Sequence, residues 1–100
     1  MPALTEALKD RDRFVRLSAA KALGNIGGEA RVAVAALVGL LKDEEPLVRA
    51  AAATALGKLG SDARAALPAL NELQKDQATV VRLAVAEAIN RITSHGTKAQ

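Results

Sequence analysis

The sequence predicts an all-α protein, an α-solenoid of three antiparallel helix pairs, and three observations carry that reading. The chain repeats itself with a period of 33, the apolar residues within each repeat recur at helical spacing, and no run alternates apolar and polar residues long enough to make a strand. Aligned without gaps, residues 1–33 and 34–66 share 16 identities, and 34–66 and 67–99 share 12. Nine columns agree in all three units. They include Leu4, Leu37 and Leu70; Lys9, Lys42 and Lys75; Asp10, Asp43 and Asp76; and the pairs Val15-Arg16, Val48-Arg49 and Val81-Arg82. A unit of this length is one supersecondary element that becomes stable only when stacked on its neighbours. The expected organisation is one domain over residues 1–93, built from units 1–33, 34–66 and 67–99, with a polar tail over 94–100.

Six helices follow, over residues 2–9, 13–25, 29–42, 46–58, 62–75 and 79–93. Unit two shows the logic most clearly. Ala33, Leu37, Leu40 and Leu41 form the apolar stripe of its first helix, and Lys42 stands at the C-terminal end, where the macrodipole favours a cation. Asp43-Glu44-Glu45 then leads into Pro46, a residue tolerated at the first position of a helix and rarely inside one. Val48, Ala52, Ala55, Leu56 and Leu59 make the buried stripe of the second helix, and Gly60 stands where a C-cap glycine is expected. Ser61 and Asp62 offer caps for the fifth helix, with Pro68 inside that helix or at a kink near its start, and Pro2 as its counterpart in unit one. The Ala-Leu-Gly patterns ending at Gly24 and Gly57 suit close approach of neighbouring helices.

Composition excludes several functions. Half of the residues are hydrophobic but Phe14 is the one aromatic, so small side chains must build the core. Without cysteine there is no disulfide, thiolate metal site or thiol nucleophile. The longest uncharged apolar stretch, residues 32–41, is about half of what a membrane span requires, and no signal segment opens the chain. A cytoplasmic protein without membrane attachment is expected. The single histidine, His95, lies in the polar tail, far from any converging ligand set, so no catalytic residue, metal site or cofactor is expected.

The phrases Leu41-Lys42-Asp43-Glu44-Glu45-Pro46-Leu47-Val48-Arg49 and Ala52-Ala53-Thr54-Ala55-Leu56-Gly57-Lys58-Leu59-Gly60 resemble short HEAT repeats of the phycobilisome lyase type, over nearly the whole chain. Tetratricopeptide and ankyrin units share the period but not these residues. The resemblance implies a ladder between adjacent repeats, made by the aspartate of each intra-repeat turn and the arginine six residues later: Asp10 and Arg16, Asp43 and Arg49, Asp76 and Arg82. Unit three departs from the pattern, with Gln74 for leucine, Asn90 for glycine and Thr93 for the capping Gly27 and Gly60, and it reads as a terminal cap. The chain reads as a piece of a longer array or a designed product.

The expected function is a non-catalytic protein–protein interaction module. The resemblance implies that second helices line the concave face, and a helical wheel with Val15 toward the core turns Phe14, Leu17 and Lys21 outward, with Leu47, Ala50 and Thr54 in unit two and Val80, Leu83 and Glu87 in unit three. Two of these columns are apolar on a surface where a solvated module would be polar, which marks a site for a partner or a second copy in a homodimer. The alternatives are a nucleic-acid-binding HEAT-like module, weakened by a net charge of only +3 and the absence of aromatic stacking platforms, and a lyase-associated chromophore-binding subunit.

Overall fold

A computed structural model describes residues 6, 7, 9–26 and 30–94, and every described element is helical. The elements are α1 (Arg13–Ile26), α2 (Ala30–Leu40), α3 (Pro46–Leu59), a 3-10 segment (Gly60–Ala66), α4 (Leu67–Glu72), a second 3-10 turn (Leu73–Lys75) and α5 (Thr79–Thr93). Of the predicted helix over 2–9, residues 6, 7 and 9 are described, and its other residues lie outside the described ones, as do His95 and the tail after Ser94.

α1, α3 and α5 form a row in chain order, α3 packed between the other two, and α2 with the segment over residues 60–75 lies against that row. The core runs between these layers and is made of small and branched aliphatics, with Leu23, Leu37, Leu41, Leu56, Leu70, Val48, Val81, Val85 and Ile92 fully buried. Interdigitating methyl and isobutyl groups replace the rings that most domains use. Helix entry follows the turn chemistry of each unit. Asp12 caps α1 by accepting the Phe14 N–H on its carboxylate at 2.8 Å. At α3, Pro46 occupies the first turn and no side chain caps the end.

Three expectations need correction. The helix expected over 62–75 is instead two 3-10 stretches flanking a six-residue α-helix, with non-helical backbone at Ala63. Pro68 explains the break, because its ring clashes with the carbonyl four residues earlier and it has no N–H to donate, so the α-helix restarts in its own first turn. Ser61 and Asp62 make no capping hydrogen bond among the described residues, because the chain turns at Gly60 straight into a 3-10 segment that is itself kinked at Ala63. Lys42 lies beyond α2, which ends at Leu40. Gly60 does close α3 in the left-handed region, at φ 63°, where a Cβ would be strained.

What sets the spacing of the row is a pair of glycines. A methyl on Gly24 would lie 2.8 Å from both Cα and Cβ of Ala55, and one on Gly57 would lie 3.1 Å from the Cα of Ala88. Backbone therefore meets backbone between α1 and α3 and again between α3 and α5. Gly24→Val must push α1 away from α3, because the obstacle is main chain and cannot rotate aside. A cost of about 1–3 kcal/mol in denaturant unfolding is expected. Gly39→Ala, at a position with nothing within 4 Å, should leave stability unchanged or raise it slightly.

Candidate functional site

Two sets of side chains were singled out by the sequence, the ladder in the turns and the outward positions of the second helices. The ladder is built from the turn upward. Asp43 accepts the Glu45 N–H on Oδ1 at 2.9 Å, a local bond that folds the turn over and fixes the carboxylate. Arg16, from the preceding unit, donates to that same carboxylate through Nε at 2.7 Å and Nη2 at 3.1 Å. Its third nitrogen, Nη1, donates to the backbone carbonyls of Asp10 and Arg11 in its own turn, at 2.7 and 3.1 Å. One guanidinium thus closes its own turn and holds the next one, a use of the planar donor fork that lysine could not copy.

The pattern recurs one repeat later. Arg49 donates to Asp76 through Nε at 2.9 Å and Nη2 at 3.0 Å, and to the Asp43 carbonyl through Nη1 at 2.7 Å. Asp76 also accepts the Ala78 N–H at 2.9 Å. Arg16, Asp43, Arg49 and Asp76 are thereby brought together in two rungs. Asp10 and Arg82 stand outside them among the described residues, because each rung joins an arginine to the aspartate 27 positions later. The Asp10 carboxylate accepts the Asp12 N–H at 2.8 Å. Arg82 donates through Nη1 to the carbonyls of Asp76 and Gln77, and through Nη2 to the Thr79 hydroxyl.

The electrostatics follow the bonds. The Asp43 hydrogen bonds hold the Arg16 guanidinium above its already high ordinary value, against the desolvation of its site. The Arg49 guanidinium holds the Asp76 carboxyl below the usual carboxylate range; burial opposes this, while the Ala78 N–H and the charges of Arg49 and Arg82 add to it.

The outward positions divide differently from the wheel. Phe14, Leu47, Val80 and Leu83 are 58%, 56%, 44% and 67% exposed, unusual values for large apolar side chains in a core this small. Lys21, Thr54 and Glu87 are also exposed, but Leu17 is only half so. Ala50, expected outward, is buried at 7%, and its neighbour Ala51 is buried too. The reason is geometric: α3 carries a helix on each flank, and a methyl on it does not reach past them, whereas Leu83 stands on α5 at the end of the row. Val15, taken as the core direction, is 37% exposed although its counterparts Val48 and Val81 are buried, since α1 has a second-helix neighbour on one flank alone among the described residues.

The face has two halves. Near the start of the second helices stand Phe14, Leu47, Val80 and Leu83, with the Arg13 guanidinium 5.1 Å from the Phe14 ring centre and 3.5 Å from Glu45. Toward their ends a groove of about 300 Å³ between α1 and α3 is lined by Lys21, Asn25, Ala51, Thr54, Ala55 and Lys58. Lys58 reaches across it to donate to Asn25 Oδ1 at 3.1 Å, and on α5 the equivalent region holds an exposed Arg91–Glu87 pair at 3.1 Å. Sequence reasoning missed the groove as a site, although Lys21 and Thr54 were each read as outward. Among the described residues no three metal-ligating side chains converge, and no helix is long and apolar enough to cross a membrane.

Small-residue contacts recur at Gly24 and Gly57, once per repeat on successive second helices, and the match of nearly the whole sequence to a repeat profile decides which repeat this is. The chain belongs to the HEAT-repeat family. The sequence profile of HEAT repeats matches residues 1–90, and HEAT repeats generally mediate protein–protein interaction. No curated protein matches the chain in sequence.

The rungs of this HEAT array generate two predictions. Arg49→Ala leaves the largely buried Asp76 carboxylate and the Asp43 carbonyl short of donors and should lower stability by about 1–3 kcal/mol, whereas Arg82→Ala, which breaks bonds within one unit, should cost less. Chemical denaturation of the two variants compares them. The second concerns pH. The folded-state pKa of Asp76 is depressed, so its contribution is present above the unfolded value of about 3.9 and is lost as pH falls through the folded one. The melting-temperature gap between wild type and Asp76→Asn should be full near neutrality and should close below about pH 4.

Proposed function

We propose that this chain is a non-catalytic interaction module, an α-solenoid of three antiparallel helix pairs that binds a protein partner or a second copy of itself through the open face of α1, α3 and α5. The observation that carries the reading is the exposure of Phe14, Leu47 and Val80 at equivalent positions of three successive helices of the row, with Leu83 beside them, while other side chains make the core beneath. Apolar side chains so placed leave about half of their surface in water. Covering them would gain about 25 cal/mol per Å² of apolar area before the cost of association is subtracted.

The occupant best matched to both halves of the face is a helix with an apolar stripe and an acidic end, which would seat the stripe on Leu47 and its neighbours and bring carboxylates to Lys21 and Lys58. A two-fold dimer meets the first requirement through like faces and the second through Glu87. Nucleic acid has less support, because Arg16 and Arg49 are committed to the rungs and Arg82 to its own turn.

Leu47 lies centrally and points away from the core. Leu47→Glu should weaken association by about tenfold or more while leaving helicity unchanged, read by light scattering for self-association and by titration for a partner. A Leu47→Glu chain that unfolds would show the face to be core. Association untouched by the substitution would place the contact elsewhere.

A further inference from the structure

The contacts of α1 with α3 and of α3 with α5 are one interface, repeated with a shift of a single unit. The leading helix contributes its rung arginine and, near its end, an alanine and a glycine that are buried there: Ala20 and Gly24 on α1, Ala53 and Gly57 on α3. At the same places α5 has Ala86 and Asn90, both exposed, and the exposed Arg82. The receiving helix contributes a valine and an alanine, buried as Val48 and Ala55 on α3 and as Val81 and Ala88 on α5. On α1 these are Val15, exposed, and Ala22, half-buried, and along them runs an open hollow of about 500 Å³ that Ser18 and Ala7 also border. Among the described residues the row therefore presents, on its two outer flanks, the two halves of its own internal interface.

The charges at the ends match as well. Asp10 holds its carboxylate in the same turn as Asp43 and Asp76, accepting the N–H two residues on, and no arginine reaches it among the described residues. Arg82 anchors Nη1 on the carbonyls of Asp76 and Gln77 as Arg16 does on those of Asp10 and Arg11, while its Nη2 turns to Thr79 in place of a carboxylate. One side chain disagrees. Even a methyl at Gly24 or Gly57 would crowd the backbone of the receiving helix, and Asn90 brings a carboxamide to that place.

We propose that the outer flank of α1 and the outer flank of α5 are complementary docking surfaces for a head-to-tail contact between copies of this chain, with Arg82 of one copy on Asp10 of the next, and that Asn90 is the residue that holds the contact shut. This contact borders the apolar face at Phe14, which lines the hollow on α1, but it does not use Leu47, so Leu47→Glu tests the function proposed above and leaves this contact intact. It is heterologous and does not close on itself, so once opened it propagates, whereas a two-fold pairing through the apolar face stops at two.

The test is Asn90→Gly, followed by light scattering and circular dichroism against wild type over a range of concentration. The variant should stay helical and reach a molar mass more than about twice that of wild type, increasing with concentration. Added wild type should shorten these assemblies, because it can dock by its α1 flank and then offers Asn90 at its other end. Val15→Glu in the Asn90→Gly chain should return the mass to the wild-type value. Asn90→Ala, which keeps the helix propensity that glycine gives up, places a methyl that a small shift can accommodate and should assemble more weakly than Asn90→Gly but more than wild type. A helical Asn90→Gly or Asn90→Ala chain with the mass of wild type would overturn the proposal, as would assembly that Val15→Glu leaves intact.

Discussion

The distance between neighbouring second helices is the constraint on which everything else rests. Gly24 against Ala55 and Gly57 against Ala88 bring main chain onto main chain, and that spacing is what allows a guanidinium rooted in one unit to meet the carboxylate of the next at 2.7 to 3.1 Å. It also explains a core with almost no rings. Helices this close leave room for methyl and isobutyl groups, and the alanines that fill the row, Ala52, Ala53 and Ala55 among them, are buried because they are small.

Order within the stack comes from a division of labour. Burial of aliphatic surface drives the helices together without specifying register, since one alanine face slides over another at little cost. The rungs supply the register. Each arginine satisfies carbonyls of its own turn and both oxygens of the next aspartate, a set of bonds that one residue of slippage would break. The arrangement leaves a surface over for the proposed function. With the inner side of the row committed to the core and the turns committed to the rungs, the open face stays uncovered between the two flanks, and Leu47 and its counterparts stand exposed on it.

Much of this was legible in the sequence, for definite reasons. The period of 33, shared by Asp10, Asp43 and Asp76, by the Val-Arg pairs and by the glycine columns, identified the repeat and the second helices, because a stacked array must present the same groups at the same interval. A kink at Pro68 was one of two readings the sequence offered for the fifth helix, but the 3-10 path on either side of it was not legible, since it depends on how the segment lies against α5 and α2. Nor was the burial of Ala50. A helical wheel gives each helix one inner side, but α3 has neighbours on both flanks, and a short side chain between two helices is covered on whichever side it points. Val15 failed in the opposite sense, for want of a flanking second helix. The direction of the rungs was not legible either: the resemblance implied a ladder between adjacent repeats, and six residues along one chain say nothing about which neighbour an arginine will reach.

The claim that helix spacing carries the rungs is tested most directly by a double-mutant cycle in equilibrium unfolding, with Gly24→Val and Arg16→Ala made singly and together. If forcing α1 from α3 already separates Arg16 from Asp43, the double variant should be little less stable than Gly24→Val alone, leaving a coupling energy of about the full cost of Arg16→Ala. Costs that add independently would contradict the account, since the rung would then survive without the close approach.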